Sequence, residues 1–434
     1  VDANIRSMEG FIAYRYRLYP TPAQAATLGR WGGCARAVWN AALEQRRTAY
    51  QMNAATVRYE SQSGAELTDA KREHAWLREP HADVLQQALR DLDRAFERFF
   101  RGEARYPRFK RKGRERFRIQ NRKRGRIEVR RVSRRWGEVR VPKLGWVRFR
   151  FSRRPVGEIR HLTVTRDTLG WHASVCCKRE VAPRPAHPGP PVGIDRGVTA
   201  TVALSTGELR RAPGLPRGQA ERLRRLQRKA GRQETARRRR PPGERRRSDR
   251  HQRTLAAIAR LRGREARIRN DFLHKLSTEI AKSHGIVAIE RLDVRAMTRS
   301  ARGTLSSPGV NVRAKAGLNR SLLAQGWGEL RRQLAYKCKR ALGRLIEVPA
   351  PYTSQTCSAC GAVDPASRSG RHFECVTCGH RADADVNAAL NILAAGQAVT
   401  AREALAAGRG DEPRTPRTEL ADVVSRARMP RIHA

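Results

Sequence analysis

Acidic residues, aromatic rings, cysteines and long apolar runs are all scarce in this chain. Of its 434 residues, 41 are Asp or Glu against 91 Lys or Arg, which leaves a formal charge of +50. A surface that repels itself this strongly calls for a polyanion, and neutralising phosphates releases counterions. DNA or RNA is therefore favoured as partner ahead of an anionic membrane. No stretch of 18 apolar residues occurs, and the opening VDANIRSMEGFIAYRYRLYP lacks the apolar core of a signal peptide. Both absences argue against membrane spanning and secretion and predict a cytoplasmic protein. Only 8 cysteines are present, four of them within 22 residues as two CxxC pairs; that is metal spacing, not a disulfide framework. The hydrophobic content, 39%, still supports buried cores in a chain long enough for two or three domains.

What is present divides the chain. FIAYRYRLY, residues 11–19, alternates as a strand does, and Pro20, Thr21 and Pro22 end it. Residues 23–50 carry Leu28, Trp31, Val38, Trp39 and Leu43 in helical register, with a break expected at Gly32 and Gly33. A second amphipathic helix begins near Val84, with Leu85, Leu89, Leu92, Phe96 and Phe99 on one face. Residues 105–126 mix cations with Tyr106, Phe109 and Phe117, which suits nucleic-acid contacts and equally a solvated basic linker. Alternation from Ile127 to Phe151, followed by a hairpin turning at residues 167–170, predicts a small barrel that takes in the N-terminal strand.

Beyond the proline-rich residues 181–191 the pattern changes. Buried-type strands are expected at 192–204, 285–292 and 344–348, a helix over 319–342, and another through Asp385 to Leu393, with a polar tail from about Gly396. Residues 219–282 read as two long basic helices joined by TARRRRPPGERRRSDRHQR. Because the charge continues onto both helices, this run reads as a phosphate rail in preference to a solvated loop.

Cys357-Ser-Ala-Cys360 and Cys375-Val-Thr-Cys378 lie fourteen residues apart, each pair followed by a glycine, Gly361 and Gly379. Four thiolates in two such knuckles make a closed tetrahedral site for structural Zn²⁺, with no open position for catalysis. Cys34, Cys176, Cys177 and Cys338 are expected in the core. Three acids stand in costly settings: Asp195 in VGIDRGVTA, Glu290 at the end of IVAIE, and Asp385 in RADADVNAALNIL. Converging, such carboxylates hold two Mg²⁺ ions for phosphodiester hydrolysis. Separately, they read as a turn residue, a salt-bridge partner and a helix N-terminal charge. Residues 300–315, after the second acid, read as a lid over the groove or as an ordinary surface loop.

The succession GIDRGV, IVAIERLDVRAM and TSQTCSACG…CVTCGHRADADVNAALNIL resembles the RuvC-like nuclease half of transposon-encoded TnpB proteins and their relatives, the miniature type V CRISPR effectors. DFLHKLS and the stretch from Gly317 to Lys337 support the resemblance, which covers residues 190–395 strongly and the N-terminal half more weakly. It implies an α/β fold plus a small β-barrel: an RNase H-like RuvC nuclease domain with an inserted zinc ribbon, and an N-terminal wedge barrel with an inserted helical recognition region. The implied boundaries are wedge 1–22 and 114–185, recognition region 23–113, nuclease 190–350 and 381–396, zinc-binding target nucleic-acid module 351–380, and a flexible tail 397–434. By the same resemblance Asp195, Glu290 and Asp385 are the catalytic, Mg²⁺-binding acids, with Asp385 preferred to Asp383 because Asn387, Ala388 and Ala389 follow it. Cys357, Cys360, Cys375 and Cys378 are the Zn²⁺ ligands. Two departures from the family pattern are Ala384, where Arg is common, and Arg196, where an apolar residue is frequent. The implied activity is RNA-guided DNA endonuclease: a guide RNA pairs with double-stranded target DNA beside a short flanking motif. The alternatives are a catalytically silent guide-directed repressor and a DNA transposase.

Overall fold

The computed structural model of the chain describes residues 8–113, 115–121, 126–181, 185–304, 306–349 and 351–408. The expected tail beyond Gly408 lies outside them. Two compact units emerge: Val1–Pro183 with Arg217–Arg264, and Arg184–Pro216 with Glu265–Ala434.

In the first unit, β1 (Met8–Arg17) leads into helix α1 (Pro22–Asn53). The start of α1 is written in Thr21-Pro-Ala-Gln. Thr21 Oγ1 accepts from the Gln24 N–H at 3.2 Å, Gln24 Oε1 accepts from the Thr21 N–H at 3.1 Å, and Pro22 sits where no N–H is needed. The helix runs unbroken through Gly32 and Gly33, contrary to the expected interruption. Gly32 is there for close packing: a Cβ on it would fall 2.5 Å from Glu115 Cβ. Residues 59–78 form short helical turns. Helix α2 (Ala82–Phe100) then buries Val84, Leu85, Leu89 and Leu92 in one core with Leu28 and Trp31 of α1.

Six further strands complete this core: β2 (Arg116–Gln120), β3 (Val129–Arg131), β4 (Trp136–Val141), β5 (Gly145–Arg150), β6 (Glu158–Asp167) and β7 (Gly170–Val181). They form an antiparallel sheet in the order β1-β7-β6-β2 and a separate sheet β3-β4-β5. The two sheets meet at a bridge between Leu18 and Phe149, where the Tyr16 and Phe149 rings lie 4.5 Å apart. The N-terminal strand is thus paired, at full length, with the second arm of the expected hairpin.

The second unit is built on a five-stranded sheet, β10-β9-β8-β11-β12, from β8 (Val192–Asp195), β9 (Val202–Leu204), β10 (Leu209–Arg210), β11 (Ile286–Glu290) and β12 (Arg344–Val348). Strands β8, β11 and β12 run parallel, and β8 and β11 are apolar up to their terminal acids because both faces are covered, whereas β12 carries Arg344 and Glu347. The basic helices are α3 (Arg217–Arg238) and α4 (Asp249–Ser283); α3 and α4 as far as Arg264 cluster with the first unit. Leu273, Leu276 and Ile280 of α4 pack on Val287 and Ile289 of β11.

The helix expected over 319–342 is two helices, α5 (Val312–Gln325) and α6 (Trp327–Arg340). Gly326 separates them at φ +76°, a left-handed conformation that glycine adopts without a steric penalty. Leu330, Leu334 and Cys338 of α6 join α4 on that face of the sheet. Helix α7 (Ala384–Gly408) covers the other face, placing Ile392, Ala395 and Val399 against Ala288, Ile346 and Val348. This apolar stripe carries α7 well past Gly396, where the polar tail was expected to begin. No helix among the described residues is long and apolar enough to cross a membrane.

Candidate active site and zinc centre

Parallel pairing sets Val287, Ala288 and Ile289 beside Val192, Gly193 and Ile194, so the next residues, Glu290 and Asp195, end neighbouring strands side by side. Asp385 arrives in the first turn of α7. That helix crosses β8 closely, since a Cβ on Gly193 would meet the Ala389 carbonyl oxygen at 2.1 Å. Three acids remote in sequence are thereby brought together. Burial pushes the Asp195 carboxyl up to about 7, and the charges of Glu290 and Asp385 push the same way. Asp383, two residues earlier, does a different job: its Oδ1 accepts from the Asp385 N–H at 3.0 Å, capping the start of α7, and its Oδ2 pairs with Arg371.

Each acid has a neighbour. Thr353 Oγ1 lies 2.6 Å from Glu290 Oε1. Arg368 Nη2 lies 3.2 Å from Asp385 Oδ1. Buried Arg196 donates from Nη2 to the Glu290 carbonyl oxygen, tying the end of β8 to the end of β11. Burial opposes the charge on Arg196, while Glu290, Glu347 and Asp195 sustain it. Hard carboxylate oxygens suit Mg²⁺, and acids that raise one another's cost of ionisation gain from a divalent cation between them. Among the described residues, however, the four cysteines are the one group of His, Cys, Asp or Glu with ligand atoms all within 4.8 Å of each other. The three carboxylates stand wider apart than that, with those of Glu290 and Asp385 turned toward Thr353 and Arg368.

The cysteine centre has the dimensions of a zinc site. Cys357 and Cys378 sulfurs are 3.7 Å apart, and those of Cys360 and Cys375 are 3.6 Å apart. A tetrahedron with Zn–S bonds of about 2.3 Å has edges of about 3.8 Å. Both knuckles turn as the trailing glycines suggested. The Gly361 N–H bonds to the Cys357 carbonyl and the Gly379 N–H to that of Cys375, each at 2.9 Å, with the glycines at φ +77° and +72°. The Cys378 N–H helps pull the Cys375 thiol down to about 6, favouring the thiolate that a metal needs. Cys34, Cys177 and Cys338 are buried core residues, and Cys176 is half-buried.

A small sheet, β13 (Arg368–Ser369), β14 (His372–Glu374) and β15 (Arg381–Asp383), joins the cysteine centre to α7. Fully buried Ala384 packs with Cys357, Phe373 and Cys375, so the small residue at this departure point fills a tight core. Asn387, also fully buried, accepts from the Ser358 N–H at 2.9 Å and donates to the Thr356 carbonyl at 2.7 Å. Asn391 donates to the carbonyls of Thr353 and Thr356. The asparagine side chains of α7 therefore hold the segment that carries both Thr353 and Cys357. Sequence reasoning missed Thr353, Arg368 and Asn391. The polar stretches around Thr353 and Arg368 read like any solvated loop, and Asn391, one turn after Asn387 on the expected helix, carried no sign of its partner.

Family models match in three places: one described as "Helix-turn-helix domain" over residues 8–54, one as "Probable transposase" over 174–301, and one as "Cas12f1-like, TNB domain" over 327–392. The first of these stretches folds as one strand and one continuous helix. "Putative RNA-guided DNA endonuclease InsQ" of Escherichia coli K12 is 38% identical over 399 residues, covering 91% of this chain and 94% of the relative. A "Putative RNA-guided DNA endonuclease" of Streptomyces pristinaespiralis is 35% identical over 95% of this chain and 98% of its own. Among solved structures, Cas12f1 in a complex with sgRNA and target DNA aligns with a TM-score of 0.54 at 13% identity, over 89% of this chain and 98% of that one, a likeness of fold. Identity of this level along nine-tenths of both sequences leads to one assignment: the chain belongs to the TnpB-like family of RNA-guided DNA endonucleases.

Proposed function

We propose that this chain is a DNA endonuclease guided by RNA, in which a guide RNA pairs with double-stranded target DNA and a RuvC-like centre hydrolyses phosphodiesters. The observation that carries the reading is the meeting of Asp195 and Glu290 at neighbouring strand ends with Asp385 of α7. Asp195, Glu290 and Asp385 are the residues to hold two Mg²⁺ ions, and Cys357, Cys360, Cys375 and Cys378 to hold one structural Zn²⁺. Bound Mg²⁺ supplies Lewis-acid charge and makes an attacking water more acidic.

The protein's own groups do the rest. Asp195 must be ionised to serve as a ligand, so its raised pKa links site assembly to proton loss. Arg368 balances Asp385 and offers positive charge to a phosphodiester. Asn387 and Asn391 hold the zinc module, residues 351–380, against the nuclease elements of 190–350 and 381–396. The sheets of 1–22 and 114–185 serve as the wedge, and the helices of 23–113 as the recognition region. Basic surface supports pairing with nucleic acid through backbone and shape.

Incubating the purified chain with its copurifying RNA, Mg²⁺ and a plasmid library randomised beside the target tests this reading. Cut products that follow the RNA sequence are expected, and Asp195→Ala is expected to abolish them. Cleavage that survives this substitution would displace the site. A match to a probable transposase over residues 174–301 favours a second reading, strand joining; ligated ends among the products would mark it, and guided binding without any cutting would mark a silent repressor.

A further inference from the structure

Between the later turns of α3 and the first turn of α4 the chain doubles back, and the two helices enclose a cavity of about 550 Å³. Lys229, Arg232, Arg237, Arg240, Arg246 and Arg250 line it, and no carboxylate does. Two acids adjoin lining residues in sequence without lining the cavity themselves: Asp249, between Ser248 and Arg250, and Glu234, which is held by Arg237 at 2.7 Å and Arg238 at 3.2 Å. Arg237 also donates to the Arg245 carbonyl at 2.7 Å, bracing the turn. Arg232, Arg240, Arg246 and Arg250 form no ion pair among the described residues. The chain has gathered cations around one concavity and, Arg237 apart, left them without an ion pair among the described residues, an arrangement that is costly until an anion enters.

Shape and chemistry narrow the anion. A sphere of this volume is about 10 Å across, room for one or two nucleotides inside it but not for a whole duplex. No Phe, Tyr or Trp lines the cavity, and its one ring is the buried imidazole of His251, so cations that suit phosphates outnumber any surface that could stack a base. Gln233, Ser248 and buried His251 form the rest of the polar wall. A second cavity of about 590 Å³ on the same turn is lined by Arg245 and Arg247 and shares Arg237 and Arg246 with the first. A strand leaving one cavity therefore meets cations in the other.

We infer that the arginine-walled cavity between α3 and α4 binds the backbone of single-stranded RNA, taking one or two phosphates where the strand turns or ends, without reading its bases. The choice of RNA over DNA rests on the guide-RNA reading above. Arg237 braces the site, and Arg240 and Arg246, whose side chains form no ion pair among the described residues, bind the phosphates.

The test measures binding of the full chain, stripped of nucleic acid, to a single strand of about 20 nucleotides as RNA with a 5′-hydroxyl, RNA with a 5′-phosphate, and DNA of the same sequence. Arg240→Ala with Arg246→Ala is expected to weaken RNA binding about ten-fold. The slope of log affinity against log salt should become shallower by about 0.7 for each phosphate no longer neutralised. The paired lysine variant should recover most of the affinity, and exposed Arg224→Ala with Arg225→Ala should change it little. A loss confined to 5′-phosphorylated RNA identifies a strand end, and an equal loss for both RNAs identifies a turn; either supports the site. Equal losses in the cavity and control pairs overturn it, as does an equal effect on DNA. Guided cleavage by the unmodified chain is scored separately. Normal cleavage with undiminished RNA affinity in the cavity pair removes this proposal alone, whereas cavity-dependent binding without any cleavage removes the nuclease reading alone.

Discussion

Arg368 Nη2 stands 3.2 Å from Asp385 Oδ1, with both side chains largely shielded, so the four-cysteine module places a guanidinium directly on the acid in the first turn of α7. Removing that charge has two opposed consequences. Arg368→Ala leaves the acids more negative, so half-saturating Mg²⁺ is expected to fall. Cleavage at saturating Mg²⁺ is expected to drop by about 100-fold, because a preorganised cation no longer faces the phosphodiester. Titrating cleavage rate against Mg²⁺ separates the two effects, and unchanged values for both would show the pairing to be incidental.

The raised pKa of Asp195 makes metal-free stability depend on pH. Its folded-state value is about 7 against an ordinary 3.8, so the unfolded chain gives up this proton first as pH rises. The folded state is then penalised progressively from about pH 4 upward, by up to about 4 kcal/mol once pH exceeds 7. Asp195→Asn removes the penalty. In chelator, its thermal midpoint should exceed that of the unmodified chain at about pH 8 and match it near pH 4, a crossover that calorimetry reads directly.

One zinc per chain is expected by metal analysis, and Cys360→Ser should lower that content. Loss of the metal frees the segment that Asn387 and Asn391 hold, and with it Thr353 and Arg368. Hydrogen exchange should therefore accelerate over residues 351–380 while the amides of β8 and β11 stay protected. Cleavage should fall along with zinc content, and unaltered exchange in the module would refute the dependence.

Two glycines give opposite outcomes. A Cβ at Gly193 would collide with the Ala389 carbonyl, so Gly193→Ala should cost about 3 kcal/mol in urea denaturation by forcing α7 off the sheet. At Gly29, inside α1, nothing lies within 4 Å of an added Cβ, and Gly29→Ala should stabilise by up to about 1 kcal/mol.

Local chemistry determined much of this protein before any fold existed. The Thr21–Gln24 capping box starts α1, the apolar runs at Val192 and Ile286 become strands covered on both faces, and two CxxC knuckles with trailing glycines make a tetrahedral sulfur site. Such features are legible because each rests on residues a few positions apart. Glycine was the ambiguous letter: Gly32 permits close packing inside a continuous helix, while Gly326 ends one, and only the neighbours, Glu115 in one case and the left-handed backbone in the other, distinguish them. The continuation of α7 past Gly396 to Val399 likewise depends on apolar partners supplied by β11 and β12. The tertiary structure alone decided that Thr353 meets Glu290, that Arg368 meets Asp385, and that a cationic cavity opens between α3 and α4. Those relationships join residues distant in sequence or set on separate helices, and a side chain's effect on charge and pKa depends on the spatial neighbours that only folding brings to it.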